Sequence, residues 1–152
     1  MTNSNIFIGA DHAGFELKKT IKKFLMDEGY NVEDVGPYEY DKEDDYPDFA
    51  EKLCIRVLES GGRGILICGT GQGMSRSSNK IPGIVAEVCW NEDTALHAAE
   101  HSNANVLTFG QSTVDKDTAI SMVKIWLEIP FKNEERHIRR FQKVIDIEKR
   151  YK

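Results

Sequence analysis

GILICGTGQGMS, residues 64–75, decides the architecture. Five residues of apolar character, 64–68, form a run of the length and composition of a buried strand. Glycines follow at alternate positions, Gly69, Gly71 and Gly73, and a helix is expected to begin near Gln72–Ser75 and to end before Pro82. Glycine lets backbone amides turn inward, where they can cradle an anion, and a following helix adds its positive end. A tight strand-to-helix turn with no ligand would use the same residues. Two nucleotide patterns fail here. Met74 stands where GxGxxG needs its last glycine, and no Gly-Lys-Ser/Thr follows, so a Rossmann-type nucleotide site is disfavoured. Cys68 ends the run and Thr70 stands two residues on. A thiol beside a helix N-terminus is a candidate base or nucleophile, although a free cysteine is more often a small buried hydrophobe.

Outward from this stretch, short apolar runs alternate with helical periodicity. Strands are expected at residues 5–9, 31–35, 84–90 and 105–109, in addition to 64–68. Helices are expected at 15–28, from Pro47 to Gly61-Gly62, at 93–101, 115–127 and 134–149. This β/α alternation predicts a parallel sheet with helices on both faces. Ligands of such sheets sit at the carboxyl ends of strands. The loops to inspect are therefore Asp11-His12-Ala13-Gly14, the glycine loop, and Gly110-Gln111-Ser112. His101 precedes the fifth strand and could reach that edge only if its helix is short or bends back.

The 152 residues, 40% hydrophobic and 30% charged, suit one domain spanning 1–152 with a proper core. The net charge of −5 offers no basic field for nucleic acid. Acid is concentrated at residues 39–48, read as a solvated loop. The opening MTNSNIFIG has neither a basic segment nor a long apolar core, so no signal peptide and no membrane anchor are expected. Three cysteines without regular spacing fit a reducing cytoplasm rather than a disulfide framework. Cys54 and Cys89 lie inside periodic elements and read as core. A metal reading exists in His97-Ala-Ala-Glu100-His101, which matches HxxEH, but no third ligand announces itself.

Five motifs in order, GADHAGFELK (9–18), DYPDFA (45–50), ICGTGQGMS…NK (67–80), EHSNANVLTFG (100–110) and RHIRR (136–140), resemble the ribose-5-phosphate isomerase B and galactose-6-phosphate isomerase family over nearly the whole chain. The resemblance implies a five-stranded Rossmann-like α/β/α sandwich that takes no dinucleotide, no metal and no cofactor. It implies homodimers or homotetramers whose active sites draw on two chains, with a dimerisation segment at about 131–152. An apolar stripe of Ile138, Phe141, Ile145 and Ile147 agrees with that, unless it packs on its own chain. The implied substrate is a sugar phosphate, foremost ribose 5-phosphate, converted to ribulose 5-phosphate through a cis-enediolate; allose- or galactose-type hexose 6-phosphates are the alternatives.

The resemblance also distributes roles. Cys68 is the base that carries the proton between carbons, with Thr70 assisting. The amides of Gly69, Gly71, Gly73 and Ser75 hold the oxyanion. His101 opens the ring, with Asp11 on substrate hydroxyls. His12, Arg136 and Arg140 bind phosphate; arginines at i and i+4 share a helical face. The sequence departs from the family at Ser102, where asparagine is usual and Asn103 follows, and at Ser112 and Val85, where arginines are usual. Arg76 stands where a small or apolar residue is typical. These changes alter the binding shell, so a different sugar phosphate, or a binding protein without turnover, is a competing reading.

Overall fold

Alternate residues of β3 (Arg63–Cys68) enter opposite layers, and this sorts the helices. Ile65 and Ile67 join one apolar cluster, Leu66 and Cys68 the other. The same division holds for β1 (Ile6–Ala10), where Ile6 and Ile8 face one side and Phe7 the other. The computed structural model describes residues 4–151; residues 1–3, part of the stretch read against a signal peptide, lie outside it.

Five parallel strands follow the order β2-β1-β3-β5-β4, where β2 is Val32–Asp34, β4 is Ala86–Val88 and β5 is Val106–Gly110. The first face is covered by α1 (Phe15–Asp27), α4 (Glu92–Glu100) and α5 (Lys116–Glu128), through Ile21, Ala98, Met122 and Trp126. The second is covered by α2 (Tyr46–Ser60) and α3 (Gln72–Ser78), through Leu53, Val57 and Met74. The expected two-sided α/β/α sandwich is the observed one. Pro47 lies in the first turn of α2, and Gly61 ends that helix at φ 69°, its amide bonded to the Val57 carbonyl.

β4 is shorter than the expected 84–90. Only Ala86–Val88 pair with β5, because β4 is an edge strand with one neighbour. Before it, the Ile84 amide closes a turn onto the Ile81 carbonyl; after it, the Trp90 amide turns to Thr94 Oγ1 at the start of α4. α6 (Glu135–Arg150) stands apart: His137 is its one buried residue, and Ile138, Val144 and Ile147 are exposed. No described helix is long and apolar enough to cross a membrane.

Candidate active site

The strand order reverses between β1 and β3, which places a crevice at their carboxyl ends. Cys68, the last residue of β3, is 5% exposed there, and its Sγ accepts the Gly71 amide at 3.2 Å. Gly71 is required twice over. Its φ is 81°, and a Cβ would lie 2.7 Å from the Phe109 Cα. Its carbonyl accepts Thr108 Oγ1 at 2.9 Å, so β5 fixes the loop. From the other side, a Cβ on Gly14 would meet the Ile67 carbonyl at 2.3 Å. The Asp11–Gly14 turn is thus pressed onto β3 next to the thiol.

Asp11 caps that turn: one carboxylate oxygen accepts the amides of Ala13 (2.9 Å) and Gly14 (3.1 Å). Burial raises its pKa above the ordinary aspartate range, and those two amides act against the rise. His12 donates its backbone N–H to Asp44 Oδ1 at 2.9 Å, and its ring Nδ1 meets the same oxygen at 2.7 Å. Thr70 is exposed, its hydroxyl accepting the Gln72 amide at 3.4 Å. Tyr46 covers Gly73, where a Cβ would meet the ring at 2.8 Å, and Arg76 donates to the Tyr46 hydroxyl at 3.2 Å.

Two of the four amides expected to face an oxyanion are already engaged. The Gly71 amide is on the thiol, and the Ser75 amide bonds the Gly71 carbonyl at 3.1 Å inside the first turn of α3. Gly73 lies in that first turn, where a helix supplies its amides with no acceptor of its own. At Ser112 the amide closes the loop onto the Gly69 carbonyl at 3.0 Å.

The remaining expected residues lie elsewhere. α4 has nine residues and runs back about 13 Å, close to the ~16 Å length of five-residue β5. His101, its C-cap, therefore stands at the amino edge of the sheet, opposite to Cys68. The condition under which it would reach the carboxyl edge, a short or bent helix, is not met: α4 is long enough to carry it across. The His101 ring stacks on His137 of α6, with centroids 4.3 Å apart and planes 6° from parallel, and its Nδ1 lies 2.7 Å from that of His97. Burial lowers the His101 pKa below the ordinary imidazole range, and the charges of His137 and His97 push the same way. Asn103, at φ 48°, lines a cavity of about 480 Å³ with Gly62, Gly83 and Phe141, among residues that enter strands. Arg136 and Arg140 are exposed on α6 beside His137, and Arg136 bonds Glu134 at 3.1 Å. One chain holds Cys68, Thr70, Asp11 and His12 at one edge, and His101, Asn103, Arg136 and Arg140 at the other.

His97 and His101 of the HxxEH pattern bond each other, and no third donor atom groups with them among the described residues. The group of three metal-capable donors found there is Asp11, His12 and Asp44, within 4.8 Å of one another. Its hydrogen bonds already account for that arrangement. Asp44, Tyr46, Thr108 and His137 escaped the sequence reading as site residues. Tyr46, Thr108 and His137 lie within the quoted motifs DYPDFA, EHSNANVLTFG and RHIRR; Asp44 carries no local signal.

A family model described as Ribose/Galactose Isomerase matches residues 6–144. The chain is 42% identical over 147 residues to the probable ribose-5-phosphate isomerase B of Mycoplasma genitalium, covering 95% of this chain and 96% of that protein. It is 38% identical to ribose-5-phosphate isomerase B of Escherichia coli over 148 residues, 95% of this chain and 97% of that one. Among solved structures, ribose-5-phosphate isomerase B of M. genitalium with bound ribulose-5-phosphate superposes at a TM-score of 0.94, with 41% identity, over 98% of this chain and 99% of that one. Ribose-5-phosphate isomerase B of Clostridium thermocellum superposes at 0.93 with 43% identity, over 97% and 99%.

Proposed function

The chain belongs to the ribose/galactose isomerase family, and from that premise we propose that it interconverts ribose 5-phosphate and ribulose 5-phosphate, with Cys68 as the base. The observation that carries this is the placement of the thiol. It sits at the switch point of the sheet, capped by a glycine amide, with the Asp11-His12 turn held against its strand.

The reaction sets three tasks: opening the ring, moving a proton between C2 and C1, and stabilising the enediolate oxygen. Cys68 takes the C2 proton and returns it to C1. The Gly73 amide and the Thr70 hydroxyl meet the developing oxygen charge; the amide is fixed before the reaction begins, so no reorganisation accompanies the charge. His101 opens the ring. Its depressed pKa keeps the imidazole neutral near pH 7, able to take a hydroxyl proton and return it to the ring oxygen. Asp11 accepts from a substrate hydroxyl. His12, Arg136 and Arg140 hold the phosphate, which positions the carbon chain over the thiol.

His101, Arg136 and Arg140 act on a second copy's thiol, because they stand at the edge opposite their own. The apolar stripe of α6 supports such a pairing, since its own chain leaves Ile138 and Ile147 exposed and Phe141 and Ile145 only half-buried. The working unit is a homodimer with two shared sites, with residues of about 131–152 at the contact. Three unpaired cysteines support a cytoplasmic setting.

The test is ribose 5-phosphate in deuterated water, followed by NMR, beside Cys68→Ala. Ribulose 5-phosphate with deuterium at C1, lost in the variant, is the expected result. Absence of both product and exchange with the unaltered protein would overturn the reading, and a hexose 6-phosphate panel would then identify its replacement.

A further inference from the structure

We propose that Asp44, from the loop before α2, is a positioning residue that holds the His12 ring with Nε2 outward as a donor to the substrate phosphate. This rests on the reading of His12 as a phosphate ligand.

The acidic stretch 39–48 is not uniformly solvated. Glu43 and Asp45 are exposed, whereas the Asp44 side chain is 9% exposed. The loop is folded to put it there: the Asp44 amide bonds the Asp41 carbonyl at 3.2 Å, and the Glu43 amide bonds Asp41 Oδ1 at 2.9 Å. One oxygen of Asp44 then receives both the backbone N–H and the ring Nδ1 of His12, at 2.9 and 2.7 Å. Two bonds from one residue to one atom fix the ring orientation as well as the backbone. The Tyr40 ring meets the imidazole edge-on at 6.4 Å and Phe15 at 5.9 Å, closing the flank.

The chemistry follows from the nitrogen that is pinned. With Nδ1–H on a carboxylate, the neutral ring carries a lone pair on Nε2, which repels a phosphate. Only the imidazolium presents Nε2–H. The Asp44 hydrogen bond raises the His12 pKa above its ordinary value, desolvation opposes this, and the charge of Asp11 adds to the rise. Those two carboxylates and the Tyr40 ring are the groups that face His12 among the described residues; in the shared site the arginine pair of a second copy meets the same phosphate. The carboxylate thus favours the cationic ring that the phosphate end needs, and it does so from 32 residues away in sequence.

The experiment is an NMR pH titration of ¹⁵N-histidine protein, wild type against Asp44→Asn, with steady-state kinetics on ribose 5-phosphate and on unphosphorylated ribose. The His12 midpoint is expected to fall in the variant. KM for ribose 5-phosphate should rise about threefold to tenfold at pH 8 with kcat nearly unchanged, and the gap should narrow at pH 6, where protonation of His12 depends less on Asp44. KM for ribose should not move. Asp44→Ser repeats the test with the carboxylate removed in a smaller side chain. An unmoved His12 midpoint, or a KM rise equal at both pH values, would overturn the proposal. If the wild type turns over no ribose 5-phosphate, the functional reading fails alone. The His12 titration, repeated with inorganic phosphate, still decides the clamp: weaker phosphate binding with a lowered midpoint supports it, and unchanged binding overturns it.

Discussion

The two edges of the sheet hold the residues of the proposed site in opposite ways. At the carboxyl edge, Cys68 and Asp11 are buried, and glycines packed against backbone set their spacing, with no room for a Cβ at Gly14 or Gly71. At the amino edge, His101 caps a helix, and Arg136 and Arg140 project from a helix with a single buried residue. The first arrangement suits proton transfer at carbon, where a small displacement is costly in rate. The second suits gripping a charged, flexible group. Each edge lacks what the other has, and that lack is the physical argument for a second copy.

The sharpest way to break this comparison is Cys68→Ala. It should lower kcat by about 10³-fold with the thermal unfolding midpoint nearly unmoved, because a buried thiol becomes a small apolar group. Retained turnover would remove the carboxyl edge from the chemistry. Next comes a mixture of Cys68→Ala and His101→Ala chains, each nearly inactive alone. Refolded together in equal amounts they should recover about one quarter of wild-type activity, since half of the dimers are hybrids with one intact site in two. No recovery would mean that the two edges do not work across copies. Gly71→Ala should cost about 2–4 kcal/mol of stability, read from denaturant unfolding, because φ and the Phe109 backbone both resist a Cβ. Arg140→Ala should leave stability unchanged and raise KM about tenfold, as for an exposed side chain that meets only substrate. The smallest effect concerns pH. kcat/KM should fall on the acid side as His101 protonates, and His97→Gln should move that limb to higher pH by removing a charge that lowers the His101 pKa.

Most of the fold was legible because it is written locally. Pro47 and Gly61 bracket α2, and the run 64–68 differs from β3 by one residue. β4 was overestimated because Ile84 and Trp90 are apolar yet turn away from the ladder, a choice made by edge position rather than by composition. The carboxyl half of the candidate site was legible through its glycines. What hid was tertiary. Nothing in the acidic run distinguishes Asp44 from Asp45, and only the loop's path puts one against His12. The edge on which His101 stands depends on helix length against strand length, a comparison that an error of one turn reverses.

The pairing of Cys68 with Gly110 has a consequence for the order in which the chain is made. While residues 106–110 remain inside the ribosome, β3 is an open edge strand and its terminal thiol faces whatever the surroundings contain. Cys68 is synthesised early and the edge of its strand is closed late, by residues of the last third of the chain. A stalled or truncated product that ends before residue 106 therefore carries Cys68 at the end of a strand whose edge is still unpaired.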